Sequence, residues 1–175
     1  MKKTLFAVLM IIAGIAHAED FSVKGIKFGM AKQEIKDLGD STNNFSYTFF
    51  GNAVNMKSLL GTSGNGFIQM NLYYDKDADI LTRMWVDAGS DTVSIMANSL
   101  LEKFGQPDVV DATPWQNRMG AMFPNKVLIW KNANGAYIRV VLRDSTRDMG
   151  YVLFTETGKS ALPGQANRPA GKNDI

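Results

Sequence analysis

The chain has 175 residues, no cysteine, a single histidine, 45% apolar residues and a formal net charge of +2. His17, Lys2 and Lys3 lie in an N-terminal segment that we predict to be removed, which leaves 17 basic and 17 acidic residues. A folded chain without His or Cys cannot use His general acid–base catalysis, a Cys nucleophile or His- or Cys-ligated zinc, and its balanced charge argues against a nucleic-acid partner.

The first 18 residues have the pattern of a cleavable export signal. Lys2 and Lys3 form a positive start, Leu5 to Ile15 an apolar run, and Ala16-His17-Ala18 a small-x-small cleavage site. The apolar run would span roughly 17 Å as a helix, which is short of the ~30 Å hydrocarbon core of a bilayer. We therefore expect cleavage after Ala18 and a protein of the bacterial periplasm, or one secreted beyond it, with no integral membrane segment after cleavage.

The first half of the remaining chain predicts one helix followed by strands. Apolar residues at helical spacing indicate a helix over residues 31–38, with Gly39 at the position that follows a helix end. Residues 40–66 are rich in Asn, Ser, Thr and Gly and contain two short strand candidates, at 45–50 and 54–60. Residues 67–74 and 80–86 alternate and are joined by a turn, which predicts a hairpin. Strict alternation places Leu81 on the face of Arg83, and Thr82 on the face of Met84.

The second half repeats this order. Asp91 is a suitable N-cap for a helix that runs to Phe104 and is stopped by Gly105. After a looser stretch that contains Trp115, strands are predicted at 127–131, 136–143 and 151–156, with a turn at Asn134-Gly135. Residues 157–175 lack periodicity and predict a disordered tail.

This order of elements predicts the fold class. We expect a single α+β domain over residues 19–156, with pseudo-repeats at about 25–88 and 90–156. Each half supplies a helix and antiparallel strands, the strands form one continuous sheet, and both helices pack on one face of it.

Two short motifs resemble a known group of proteins. Gly29 to Gly39 is similar to the G-(M/T)-x-x-x-(E/Q)-(V/I)-x-x-L-G helix of small secreted bacterial helix-plus-hairpin proteins, and Leu100 to Pro107 is similar to their L-x-x-x-(F/Y)-G-x-P ending. This BamE-like fold is typified by the outer-membrane assembly lipoprotein BamE and the tandem-repeat β-lactamase inhibitory proteins. The chain lacks the lipobox Cys of the former and the disulfides of the latter. The resemblance implies a sheet face presented to a partner, and no catalytic residue.

The sequence contains only weak signals for a metal site or a catalytic site. Asp75, Asp77 and Asp79 copy the start of a calcium loop, but Ile80 occupies the position that needs Gly and Val86 the position that needs Glu. Aspartates also favour a hairpin turn through hydrogen bonds to their own backbone, so we predict a turn and no metal. The acidic residues are scattered, and we predict neither a catalytic residue nor a cofactor.

The strand alternation instead predicts a mixed sheet face opposite an aliphatic core side. Aromatic and Arg side chains, which are enriched at interface hot spots, are expected there. The candidate partner-binding residues are Phe67, Tyr73, Arg83, Trp85, Tyr137, Arg139 and Arg143. Two alternatives remain open: the face is an idle surface stabilised by cross-strand pairs, or residues 40–66 cover it as a second core.

From these patterns we predict a protein-binding module, either an inhibitor or an accessory factor, that docks on another envelope or secreted protein through this face. No bond is made or broken in such a mechanism. The alternatives are a small-ligand carrier with a pocket between sheet and helices, and a carboxylate-based hydrolase.

Overall fold

The computed structural model describes residues 21–48, 51–56, 68–117, 119–144 and 148–156. The predicted signal at 1–18, the predicted tail at 157–175 and Phe67 lie outside the described residues. The elements are β1 (Ser22–Val23), β2 (Ile26–Lys27), α1 (Lys32–Thr42), β3 (Phe45–Tyr47), β4 (Ala53–Met56), β5 (Ile68–Tyr74), β6 (Leu81–Gly89), α2 (Ser90–Phe104), β7 (Val109–Asp111), β8 (Trp115–Gln116), β9 (Met122–Phe123), β10 (Val127–Lys131), β11 (Tyr137–Val141) and β12 (Met149–Thr155).

Helix α1 extends one turn beyond its predicted end. The Glu34 carboxylate accepts a hydrogen bond from the backbone N–H of Ala31 at 2.7 Å, which fixes the first turn. The predicted stop, Gly39, lies inside the helix, which ends at Thr42 and is followed by the C-cap Asn43, whose φ of 53° is left-handed. Gly39 is needed for close packing, because a Cβ there would lie 2.7 Å from Cε2 of Phe45.

Helix α2 begins at Ser90 and ends at Phe104, as its apolar stripe predicts. The predicted N-cap, Asp91, is instead in the first turn, and Gly89 precedes the helix without a side-chain cap. An acidic side chain at this place still interacts favourably with the helix dipole. At the other end, Nε1 of Trp130 donates a hydrogen bond to the carbonyl of Gly105 at 2.9 Å and ties the helix end to β10.

The strands of both halves form one eight-stranded antiparallel sheet in the order β3-β4-β5-β6-β12-β11-β10-β7. Four strands come from each half, and the last strand of each half, β6 and β12, pair at the centre. Both helices contribute to the same core on one side of the sheet. The predicted fold class, an α+β architecture with a continuous antiparallel sheet and helices on one face, is confirmed.

A β-bulge in β6 corrects the predicted alternation. Tyr73 pairs with Arg83 but Tyr74 pairs with Leu81, so Thr82 is the extra residue. Leu81 is therefore fully buried in the core under the helices and does not share the face of Arg83. The Thr82 hydroxyl donates a hydrogen bond to the carbonyl of Tyr73 at 3.2 Å and holds the bulge in place.

Several short strands have no counterpart in the sequence prediction. β8 and β9 form a separate hairpin in the stretch around Trp115, whose ring lies 5.6 Å from that of Phe123. β7 adds an edge strand beside β10. Strands of two or three residues are too short to show a period of two, and for this reason they leave no pattern in the sequence.

No helix in the described ranges combines the length and the apolar character required to cross a lipid bilayer.

Candidate functional site

We define the outer face as the side of the eight-stranded sheet opposite the helices. The strand register brings the predicted residues of β5, β6 and β11 together on it. Trp85 pairs with Leu153, which pairs with Arg139. In the next row, Arg83 pairs with Thr155, which pairs with Tyr137.

The centre of the outer face is a small apolar cluster, which we call the inner cluster. It consists of Trp85, Val141, Tyr151 and Leu153, all buried. The Trp85 and Tyr151 rings are stacked at 4.3 Å with 20° between their planes. Trp85 lies on the predicted face but is only 4% exposed, so it forms part of the base of the site and contributes little accessible surface.

Half-buried aromatic and basic side chains surround the inner cluster. We call Tyr73, Arg83, Tyr137 and Arg139 the rim. The guanidinium carbon of Arg83 lies 6.0 Å from the centre of the Tyr73 ring, at the outer limit of a cation–π contact. The rim therefore offers aromatic area and positive charge around an apolar base.

The hydroxyls of Tyr73 and Tyr151 on this face stay neutral at physiological pH. Burial raises the pKa of Tyr151, and the nearby charge of Arg139 offsets part of that rise. Burial and the carboxylate of Asp87 raise the pKa of Tyr73, against a lowering by Arg83. Neutral phenols can both donate and accept hydrogen bonds, which suits a polar contact surface.

In the described part of the chain, Nε of Arg139 and the hydroxyl oxygen of Thr155 lie on the outer face and are buried without a hydrogen-bond partner. Thr155 is completely buried. Buried polar groups are normally paired, so such atoms in a native structure call for an explanation.

The outer face also holds an acidic side chain at one end. Asp87 follows Trp85 by two residues on β6 and pairs with Tyr151. Burial raises the pKa of its carboxyl group, the charge of Asp144 adds to the rise, and a hydrogen bond from the Trp85 side chain opposes it. The carboxylate is therefore held beside the indole.

Arg143 lies apart from the rim. Its Nε donates a hydrogen bond to the carbonyl of Pro124 at 2.7 Å, and its backbone N–H donates to the side chain of Asn125 at 2.9 Å. It lines an open groove of about 550 Å³ at the start of α2, together with Ser90 and Asp148 among other residues. This groove is at the end of the sheet, whereas the space between sheet and helices is filled by core side chains.

Two further features of the sequence prediction can be placed. The described part of residues 40–66 does not lie over the outer face, because β3 and β4 extend the sheet at its edge. In the turn after β5, the Asp75 carboxylate accepts hydrogen bonds from the backbone N–H groups of Asp77 and Ala78, as a turn aspartate does.

The sequence interpretation missed the contribution of β12. Tyr151, Leu153 and Thr155 lie between the β6 and β11 residues of the outer face, and Tyr151 and Leu153 supply two of the four residues of the inner cluster. The available signal was the run of apolar residues from Tyr151 to Phe154, which is typical of a central strand covered on both faces.

Comparison with the models of known protein families, with curated proteins and with solved structures finds no match to this chain.

Proposed function

We propose that this protein is an exported binding module that docks on another envelope or secreted protein through the rim of its outer face, without catalysis. The observation that supports this most directly is the placement of two tyrosines and two arginines around one apolar base. Tyr and Arg bury large areas at a small entropic cost and are frequent at interface hot spots.

The arrangement also favours rigid docking. The rim residues lie on β5, β6 and β11 of one continuous sheet, in which β12 separates β6 from β11. Side chains on paired strands of a sheet keep fixed positions relative to one another, so little ordering entropy has to be paid on binding. Such a surface is suited to blocking a groove of the partner sterically. An inhibitor or an accessory factor would act in this way.

Site-specific photocrosslinking tests the docking proposal. A benzoylphenylalanine residue is introduced at Tyr73, at Tyr137 and, as a control on the opposite side of the molecule, at Lys36 of α1. We expect the same crosslinked protein from Tyr73 and Tyr137, and none from Lys36. Equal products at all three positions, or products that differ between the two tyrosines, contradict docking through the rim.

Export is tested separately. We expect the protein recovered by osmotic shock to begin at Glu19, as measured by intact mass, because Ala16 and Ala18 fit the small pockets of the signal-processing enzyme. Ala18→Arg should leave an unprocessed, cell-bound form. An unprocessed wild-type protein in the cytoplasmic fraction would contradict the proposed export.

A further inference from the structure

Nε of Arg139 and the hydroxyl oxygen of Thr155 belong to neighbouring side chains of the outer face. Arg139 on β11 pairs with Leu153 on β12, and Thr155 follows Leu153 by two residues, so it lies on the same face. Arg139 and Thr155 are thus diagonal neighbours, about 7–8 Å apart in such a sheet and within reach of a long side chain. Neither Nε of Arg139 nor the hydroxyl oxygen of Thr155 has a hydrogen-bond partner within the described ranges.

A second guanidinium-bearing residue completes this corner of the face. Arg83 on β6 is directly opposite Thr155, on the side away from β11. Thr155 therefore lies between two strands that each carry an arginine, β6 with Arg83 and β11 with Arg139. The acidic residue of β6, Asp87, lies beyond Trp85, pairs with Tyr151 and receives a hydrogen bond from the Trp85 indole.

The chemistry of these groups defines what they can bind. Nε of arginine is only a donor, a threonine hydroxyl can donate as well, and two guanidinium groups add positive charge. A group that accepts hydrogen bonds from Arg139 and Thr155 and is attracted by the positive charge must be an anionic acceptor. A carboxylate fits best, since its two oxygens match the planar fork of a guanidinium and can accept a further hydrogen bond from a hydroxyl.

We propose that the corner formed by Arg83, Arg139 and Thr155 is a subsite for one Asp or Glu side chain of the docked partner protein, which reaches the buried Thr155 hydroxyl when the half-buried Arg139 side chain moves outward to receive it. This inference rests on the proposed docking function and specifies its chemistry. Tyr73 and Tyr137 stand beside the corner and offer contact area to the polypeptide on which that carboxylate is carried.

Side-chain NMR tests the subsite without the partner. The probe is capped glutamate, with capped glutamine as its neutral match, titrated into ¹⁵N-labelled protein at low salt. We expect a saturable shift of the Arg139 Nε–H with glutamate and none with glutamine. Arg139→Gln, followed through the backbone N–H of Thr155, should weaken glutamate binding about tenfold, the effect of one hydrogen bond to a charged group. Lys36→Gln, which removes the same charge from α1, should leave it unchanged.

A second variant separates the subsite from general folding effects. Thr155→Val keeps the shape of the side chain and removes its unpaired hydroxyl. We expect it to raise the melting temperature and to weaken glutamate binding about threefold, less than the loss of a charged partner. Unchanged glutamate binding in Thr155→Val overturns the role of the hydroxyl.

The outcomes distinguish this proposal from the docking proposal. If glutamate causes no shift, or if phosphate at equal concentration shifts the Arg139 Nε–H as strongly, the carboxylate subsite is overturned, and photocrosslinking at Tyr73 and Tyr137 still decides docking. If glutamate binds as expected but the two tyrosine positions capture no common protein, docking is contradicted instead.

Discussion

Gly39 shows how a single hydrogen atom in place of a side chain lets α1 contact β3. A Cβ at this position would lie 2.7 Å from Cε2 and 3.2 Å from the carbonyl oxygen of Phe45, whose ring is buried. Alanine favours helices by about 1 kcal/mol over glycine, but overpacking costs about 1–3 kcal/mol. We expect Gly39→Ala to lower the free energy of unfolding, measured in urea. Asp40→Ala, at the exposed next position, should not lower it; equal effects of the two would contradict this packing.

Asp87 makes stability depend on pH in an unusual direction. Burial raises the pKa of its carboxyl above the ordinary 3.8, so the folded state holds this proton more tightly than the unfolded state. Its contribution to stability is therefore fully present below pH 3.8 and is lost as the pH rises through the folded pKa. We expect the free energy of unfolding of Asp87→Asn, relative to that of wild type, to increase from pH 3 to pH 7. Urea unfolding at each pH measures this difference.

The control for Asp87 is an aspartate of opposite behaviour. Hydrogen bonds from the side chain and backbone of Thr113 lower the pKa of Asp111, so its contribution to stability is present above the ordinary value and is lost as the pH falls through the folded pKa. Asp111→Asn should therefore lose stability relative to wild type as the pH rises. If the two variants change in the same direction, these environments do not govern the titration.

At the scale of the element, the bulge in β6 decides which residues enter the core. Leu81 is fully buried under the helices because Thr82 is the extra residue of the strand. We expect Leu81→Ala to cost about 3 kcal/mol in the free energy of unfolding, as buried Leu→Ala substitutions do. Ile95→Ala on the exposed side of α2 should cost far less. Similar losses in the two variants would indicate the strict alternation that the sequence predicts.

The sequence predicts long periodic elements well and local adjustments poorly. Helix α2 was predictable because its apolar stripe and Gly105 agree, and β10 was predictable from its apolar run. Gly39 was misassigned because a glycine after an apolar position can either end a helix or permit close contact with a neighbour. The bulge at Thr82 has no sequence signature, since it depends on pairing with β5.

At the scale of the whole molecule, the sequence could predict which residues share the outer face but could not predict how deeply each of them is buried. Alternation within β5, β6 and β11 is local, and it correctly assigns Tyr73, Arg83, Tyr137 and Arg139 to one face. The burial of Trp85 depends on β12, a strand more than 60 residues away in the chain. No local pattern contains information on such a long-range pairing. An exposed hot-spot residue and a buried residue at the base of the site therefore have the same alternation pattern in the sequence.

This difference in depth predicts how variants of the two kinds behave. Trp85 stacks on Tyr151 and is 4% exposed, so Trp85→Ala should lower the free energy of unfolding by about 3–5 kcal/mol. Tyr137 is half-buried at the rim, and Tyr137→Ala should cost less than half as much. Urea unfolding followed by far-UV circular dichroism, which does not rely on the removed indole, measures both. Because a strongly destabilised variant loses binding through unfolding, the rim variants are the valid probes of docking. A loss below about 1 kcal/mol for Trp85→Ala would place the indole at the surface and make it a direct contact residue instead.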